Sequence, residues 1–194
     1  MTVLLGDEFA PVLAAAQAGD DWAVARIYRS LQPAVLAYLR VREPNEADDI
    51  ASQTWLEVAR ALATFSGTEQ NFRAFVFTIA RRRLLNARRS RARRRTDLFD
   101  GADLVAMIHE GDDLVEQVAA RVDGPSAIRR ITELLRPDQA EVVLLRVVAG
   151  LTVEEVAAIV GKRAVTIRVI QHRALEKLRK ELDRSVTPPT APGM

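Results

Sequence analysis

Cysteine is missing from all 194 residues. That excludes disulfides and thiolate metal sites. Histidine occurs only as His109 and His172, too few and too far apart along the chain to suggest zinc. Aromatic residues make up 5% of the chain, so any core must be built from Leu, Val, Ile and Ala, a composition that favours helices. No apolar run approaches the roughly 20 residues that span a bilayer. The opening stretch MTVLLGDEF is too short and too acidic for a signal peptide. A cytoplasmic protein without membrane insertion is expected. No nucleophile–base pair, phosphate-cradling loop or metal-ligand spacing is present. The chain is therefore expected not to be an enzyme and to need neither cofactor nor metal.

What the chain does have is arginine, in one place. Between Arg81 and Arg95 stand Arg81, Arg82, Arg83, Arg88, Arg89, Arg91, Arg93, Arg94 and Arg95, with no acid among them. This stretch carries about +9 in a chain whose formal net charge is +2. The residues just before it are apolar at helical spacing: Phe72, Phe75, Val76, Ile79 and Ala80, continuing to Leu84 and Ala87. One helix is thus expected to be anchored in a core at its start and aimed at a polyanion by its end. Phosphate backbone fits, because arginine forks match phosphate oxygens and each contact releases counterions.

With 48% apolar residues, 194 positions suffice for one domain or two small ones. Residues 7–19 read as a short helix closed by Gly19. Asp20 or Asp21 caps a second helix, which Pro33 is expected to interrupt or restart before Val35, Leu36, Leu39 and Val41 continue the pattern. Pro44 and Asn45 form a break. A third helix is predicted from about Glu46 to Ala63, with Ile50, Trp55, Leu56, Val58 and Leu62 on its apolar side. Asp48, Asp49, Ser52 and Gln53 gather on its early polar side. The loop Phe65–Asn71 then leads into the arginine-bearing helix.

Beyond Arg95 the charge inverts. Residues 96–124 hold eight acids against one base, Arg121, leaving about −7. Gly101, Gly111 and Gly124 break this segment, which reads as an acidic flexible linker with room for a short helix at Leu114–Val122. The second domain opens with a predicted helix Ala127–Leu135. Pro137 then sits where a first helical turn tolerates proline, and Val142, Val143, Leu145 and Val148 form an apolar face ending at Gly150. Thr152 and Glu155 have capping-box spacing. The short helix they start ends at Gly161, and a final helix runs from about Ala164 to Leu182. Ile167, Ile170, Ala174, Leu175 and Leu178 are expected inside it. A short helix, a turn and an amphipathic helix make a helix-turn-helix, whose second helix enters the major groove. The groove-facing candidates are Arg163, Thr166, Arg168, Val169, His172 and Arg173. The tail, residues 185–194, should be disordered.

The segment LLRPDQAEVVLLRVVAGLTVEEVAAIVGKRAVTIRVIQHRALEKLRKEL resembles region 4 of the extracytoplasmic-function (ECF, group IV) RNA polymerase sigma factors. ADDIASQTWLEVARALATF followed by NFRAFVFTIARRRLLNARR resembles their region 2. The resemblance implies an all-α fold of two small helical domains, a region 2 bundle at 1–95 and a region 4 helix-turn-helix domain at 125–184, joined by the linker 96–124. It implies a factor that binds core RNA polymerase and directs promoter-specific initiation, reading minus-thirty-five and minus-ten elements and aiding melting. Asp48, Asp49 and Gln53 lie at the core-binding positions. Phe65, Ser66 and Asn71 lie in the loop that holds an extruded minus-ten base. Arg81, Arg82, Arg83, Asn86 and Arg88 lie where the promoter-facing helix meets DNA, and Arg163 to Arg173 match the minus-thirty-five reader. An anti-sigma factor is an implied partner, and the free chain is expected to be a monomer. Ser52, Gln53, Phe75 and Arg82 depart from frequent family residues. The alternative is an autonomous helix-turn-helix regulator that needs no polymerase. The acidic linker, tethered beside the arginines, is further expected to compete with DNA for them.

Overall fold

The computed structural model describes residues 5–95 and 133–186. Helix α1 (Phe9–Ala18) follows a 3-10 turn at Gly6–Glu8 and closes on Gly19, whose φ of 97° is left-handed. Helix α2 covers Asp21–Arg42, α3 Ala47–Leu62 and α4 Glu69–Arg95. The second unit begins with α5 (Pro137–Val143), runs through a π-helical turn at Leu144–Val148, and continues as α6 (Val153–Val160) and α7 (Ala164–Val186). All regular elements among the described residues are helical. Most of the predicted helix at 127–135, the linker 96–124 with its short helix, and the last eight residues of the tail lie outside the described residues.

Pro33 does not interrupt α2, which is continuous from Asp21 to Arg42. A proline forfeits one backbone hydrogen bond. Here Ile27 and Leu31 before it, and Ala34, Val35 and Tyr38 after it, are all buried, so packing on both sides carries the helix across. The α3 prediction needs one correction. Leu56 is 59% exposed, and Thr54 takes an inward place, its hydroxyl donating to the Ile50 carbonyl at 2.7 Å.

Helices α1 to α4 pack as a bundle, with α2 against α1 and α3, and α4 against α3 and α2. In the second unit α7 packs on both α5 and α6. Thr152 caps α6 as the spacing predicts: its hydroxyl accepts from the Glu155 N–H at 3.2 Å, and the Glu155 carboxylate accepts from the Thr152 N–H at 2.7 Å. The two units also pack on each other. One continuous cluster of buried apolar side chains runs from Phe9, Tyr38, Val76 and Phe77 to Val142, Leu145, Val156 and Ile167. Helix α4 lies against α6, and α2 lies against the π-helical turn.

Candidate nucleic-acid and polymerase interface

The acidic cluster sits on the outer side of α3. Asp48, Asp49, Ser52 and Gln53 are all exposed, because Ala47, Ile50, Ala51 and Thr54 take the inward positions of the same turns. Asp48 pairs with Arg40 at 3.2 Å across a solvated gap. Leu56 continues the exposed face one turn beyond Gln53, beside half-buried Trp55. Trp55 donates its indole N–H to Gln32 at 2.5 Å and lies 5.0 Å from the ring of Tyr28. Leu56 was missed in sequence because a leucine at helical spacing is read as core.

The loop before α4 is held from three sides. Phe65 is half-buried against Phe72 and Phe75, at centroid distances of 5.0 and 5.4 Å. Gln17 of α1 donates to the carbonyls of Leu62 and Phe65 at 3.0 and 2.7 Å. Asn71 accepts from the backbone N–H and the hydroxyl of Thr68, at 3.0 and 2.8 Å, which fixes the first turn of α4. Ser66 is exposed between these anchors. Gly67 has φ +146°, and a Cβ there would stand 3.1 Å from Asn71. Gly67→Ala is therefore expected to cost about 1–3 kcal/mol, read as a lowered unfolding midpoint. An unchanged midpoint would show that the loop is not held in this shape.

The arginine run is not unpaired in three dimensions. Arg82 and Arg83 both reach Glu57 of α3, Arg83 at 2.7 Å. Arg88 and Arg91 share Glu43 at 2.7 and 2.5 Å, and Arg91 also reaches Glu46 at 2.5 Å. Burial alone would raise the Glu43 pKa, but the hydrogen bonds and charges of Arg88 and Arg91 outweigh it and hold the carboxyl below its ordinary value. Arg81 turns toward the second unit, bonding Glu141 at 3.1 Å and the Ile159 carbonyl at 3.1 Å. Of the predicted DNA-facing residues on α4, Arg82 and Asn86 are exposed, Arg83 and Arg88 are half-buried in ion pairs, and Arg81 is drawn into the junction. The partners Glu43, Glu57 and Glu141 come from distant parts of the chain and left no local signal.

On α7, Arg163, Arg168 and Arg173 are exposed and Thr166 and His172 are half-buried. Arg168 pairs with Glu154 at 2.8 Å in solvent. Val169 is corrected: it is 2% exposed and belongs to the interior. Helix α7 is covered by both α5 and α6, so its inward face is wider than one apolar stripe. Gln171 is buried for the same reason, accepting from Arg146 at 3.0 Å. Among the described residues no three metal-ligating side chains converge, and no helix is long and apolar enough to cross a membrane.

The family model described as Sigma-70 region 2 matches residues 27–94, and the one described as Sigma-70, region 4 matches residues 133–180. Over 183 residues the chain is 33% identical to ECF RNA polymerase sigma factor SigD of Mycobacterium tuberculosis, covering 91% of this chain and 85% of that one. It is 31% identical over 170 residues to ECF RNA polymerase sigma factor ShbA of Streptomyces griseus, covering 83% and 88%. Among solved structures, CnrH in complex with the cytosolic domain of CnrY aligns over 90% of this chain and 96% of that chain. The TM-score is 0.57 at 21% identity, a likeness of fold.

Proposed function

The chain belongs to the ECF RNA polymerase sigma factors, and on that premise we propose the division of labour among its residues and its place in group IV of that class. It is a non-enzymatic factor that directs transcription initiation. Asp48, Asp49 and Gln53 bind the basic clamp of core polymerase, and Leu56 adds an apolar contact to the same outer face of α3. Phe65, Ser66 and Asn71 receive a minus-ten base, which needs a pocket to replace its lost stacking. Arg82 and Asn86 meet the promoter first, and Arg81, Arg83 and Arg88 follow as their ion pairs are exchanged for phosphate. Arg163, Thr166, Arg168, His172 and Arg173 read the minus-thirty-five element. The first unit is the region 2 domain and the second the region 4 domain, joined by the acidic linker. The chain works in the cytoplasm, and an anti-sigma factor that covers these faces is its inhibitor.

The observation that supports this reading most is the exposed acidic pair of α3 on the same unit as the arginine-bearing α4, since a stand-alone repressor has no use for both. The test is run-off transcription with purified core enzyme. Specific transcripts that need the chain are expected, and their absence would favour the autonomous regulator.

A finer test concerns the recognition helix. The Arg168–Glu154 pair is exposed, and exposed pairs hold only about 0–1 kcal/mol, so Arg168 can leave Glu154 for a base. Arg168→Ala is expected to relax preference at one upstream base pair by about 1–3 kcal/mol. If the variant loses affinity equally for all sequences, Arg168 touches phosphate instead.

A further inference from the structure

The loop between α3 and α4 is held at both ends by one distant piece of chain, α1 with the turn before it. At the α3 end stands Gln17, whose side-chain amide donates to the Leu62 carbonyl at 3.0 Å and to the Phe65 carbonyl at 2.7 Å. The Leu62 carbonyl, at the last residue of α3, also accepts from the Phe65 N–H at 3.1 Å, so Gln17 closes that turn from outside. At the α4 end stands Glu69, the first residue of α4. Its two carboxylate oxygens accept from the Leu5 and Gly6 N–H groups at 3.0 and 2.9 Å, where the 3-10 turn before α1 begins. Between these points Phe9 of α1 lies 5.8 Å from the ring of Phe72, which in turn lies 5.0 Å from Phe65. Ser66, Gly67 and Thr68 span the gap, all exposed.

Stability alone gives the polar contacts little reason. Helix α1 already docks through Phe9, Val12, Leu13 and Ala16, all buried. Gln17 is exposed and Glu69 is half-buried, and hydrogen bonds open to water nearly break even against hydrogen bonds to water. What they add is a fixed path for the loop. A free loop must be ordered when it meets its ligand, and that ordering is subtracted from the binding free energy. A loop whose two ends are set beforehand loses little on capture. Gln17 holds the carbonyl of Phe65 itself, the residue whose ring would meet the base.

On the reading of that loop as the holder of a minus-ten base, we propose that α1 and the turn before it are a brace for base capture, with Gln17 and Glu69 as positioning residues. Neither touches the base. Both hold Phe65, Ser66 and Asn71 in the receiving shape. A captured base offsets the cost of unstacking it from the duplex, so the brace acts at promoter melting and not at the binding of polymerase.

Gln17→Met keeps size and neutrality but has no donor. Glu69→Gln keeps shape and leaves one acceptor oxygen where there were two. It also removes a negative charge, so charge alone would strengthen DNA binding, whereas the brace predicts weaker transcription from duplex. The duplex template is a promoter selected by the native chain with core enzyme from a pool of random upstream sequences. The same promoter is also premelted over its minus-ten element by mismatches, and stepped through there with single abasic sites. From duplex, each variant is expected to give about fivefold less run-off transcript, the scale of a lost hydrogen bond or two. From the premelted template the deficit should shrink below about twofold, because unstacking no longer has to be offset. In the native chain one abasic position should lower transcription about tenfold, the stacking of one base. The variants should lose less than about threefold there, since two changes acting on one contact do not add. Gln17→Lys, which returns a donor, should recover most of the duplex transcript. A weakened fold or a weakened grip on polymerase would lower all templates alike. Equal deficits on duplex and premelted templates, native-like loss at the abasic position, or full activity of both variants would each overturn the brace. If no abasic position matters to the native chain, the base-holding reading itself fails, and the brace with it.

Discussion

Core RNA polymerase is expected not to bind a chain in which Asp48 and Asp49 are both reversed to arginine. Each carboxylate that meets a basic clamp residue and becomes desolvated there contributes about 2–5 kcal/mol, measured by truncation. Two reversals add repulsion to that loss. At about 1.4 kcal/mol per tenfold, even the lower end removes more than two decades of affinity. The fold should survive, because both side chains are exposed and Asp48 gives up only the solvated pair with Arg40. The first turn of α3 does lose acids that favour a helix start, worth about 0.3–1 kcal/mol each. Asp48→Asn with Asp49→Asn, which removes the charges without reversing them, should fall between the two in affinity. The measurement is equilibrium binding of labelled chain to core enzyme, with thermal unfolding run in parallel. Unchanged affinity at unchanged stability would refute the assignment of this face.

The largest expected effect on stability comes from Phe77→Ala. Phe77 is fully buried in the first half of α4, its ring edge-on to Tyr38 at a centroid distance of 5.8 Å. Emptying such a site costs about 3–5 kcal/mol, with a further contribution from the lost ring pair. Against a total of about 5–15 kcal/mol for a domain, most of the margin goes. The functional consequence follows from position: α4, about 40 Å long at 1.5 Å per residue, follows directly on the loop proposed to hold a minus-ten base and carries the residues proposed to face the promoter. Denaturant unfolding gives the value. A cost below about 1 kcal/mol would mean that α2 and α4 are not clamped through this residue.

Phe77 also marks where sequence reasoning stops. Phe72, Phe75, Val76, Ile79, Ala80, Leu84 and Ala87 were legible as a stripe; Phe75 and Ala87 are half-buried and the other five are buried. Phe77 was left out of that stripe although it stands three and seven residues before Ala80 and Leu84, at the edge of the same face, and it is buried because α4 is covered by α3, α2 and α6. Val169 misled for the same reason, since α7 is packed by two helices. Leu56 erred in the opposite direction: its spacing belonged to the core, but no helix among the described residues covers it. Periodicity reports that a helix has an apolar face; it does not report how many neighbours the helix acquires.

Among the described residues, the sequence by itself determined the main helices and their order. Gly19 and Gly161 close helices in left-handed geometry, Thr152 and Glu155 cap α6, and the break near Pro44 separates α2 from α3. All of these depend on residues within a few positions of one another, so their physics is local. The exposed acids of α3 were legible in the same way, through the inward residues of their own turns. Which charges are free was decided only by the tertiary structure. Nine arginines with no acid among them read as an open basic surface, but folding brings Glu43, Glu46, Glu57 and Glu141 to five of them, Arg81, Arg82, Arg83, Arg88 and Arg91, from 25 to 60 positions away. Ion pairing depends on distance in space, and a chain that doubles back at the turns between its helices makes that distance independent of separation along the sequence.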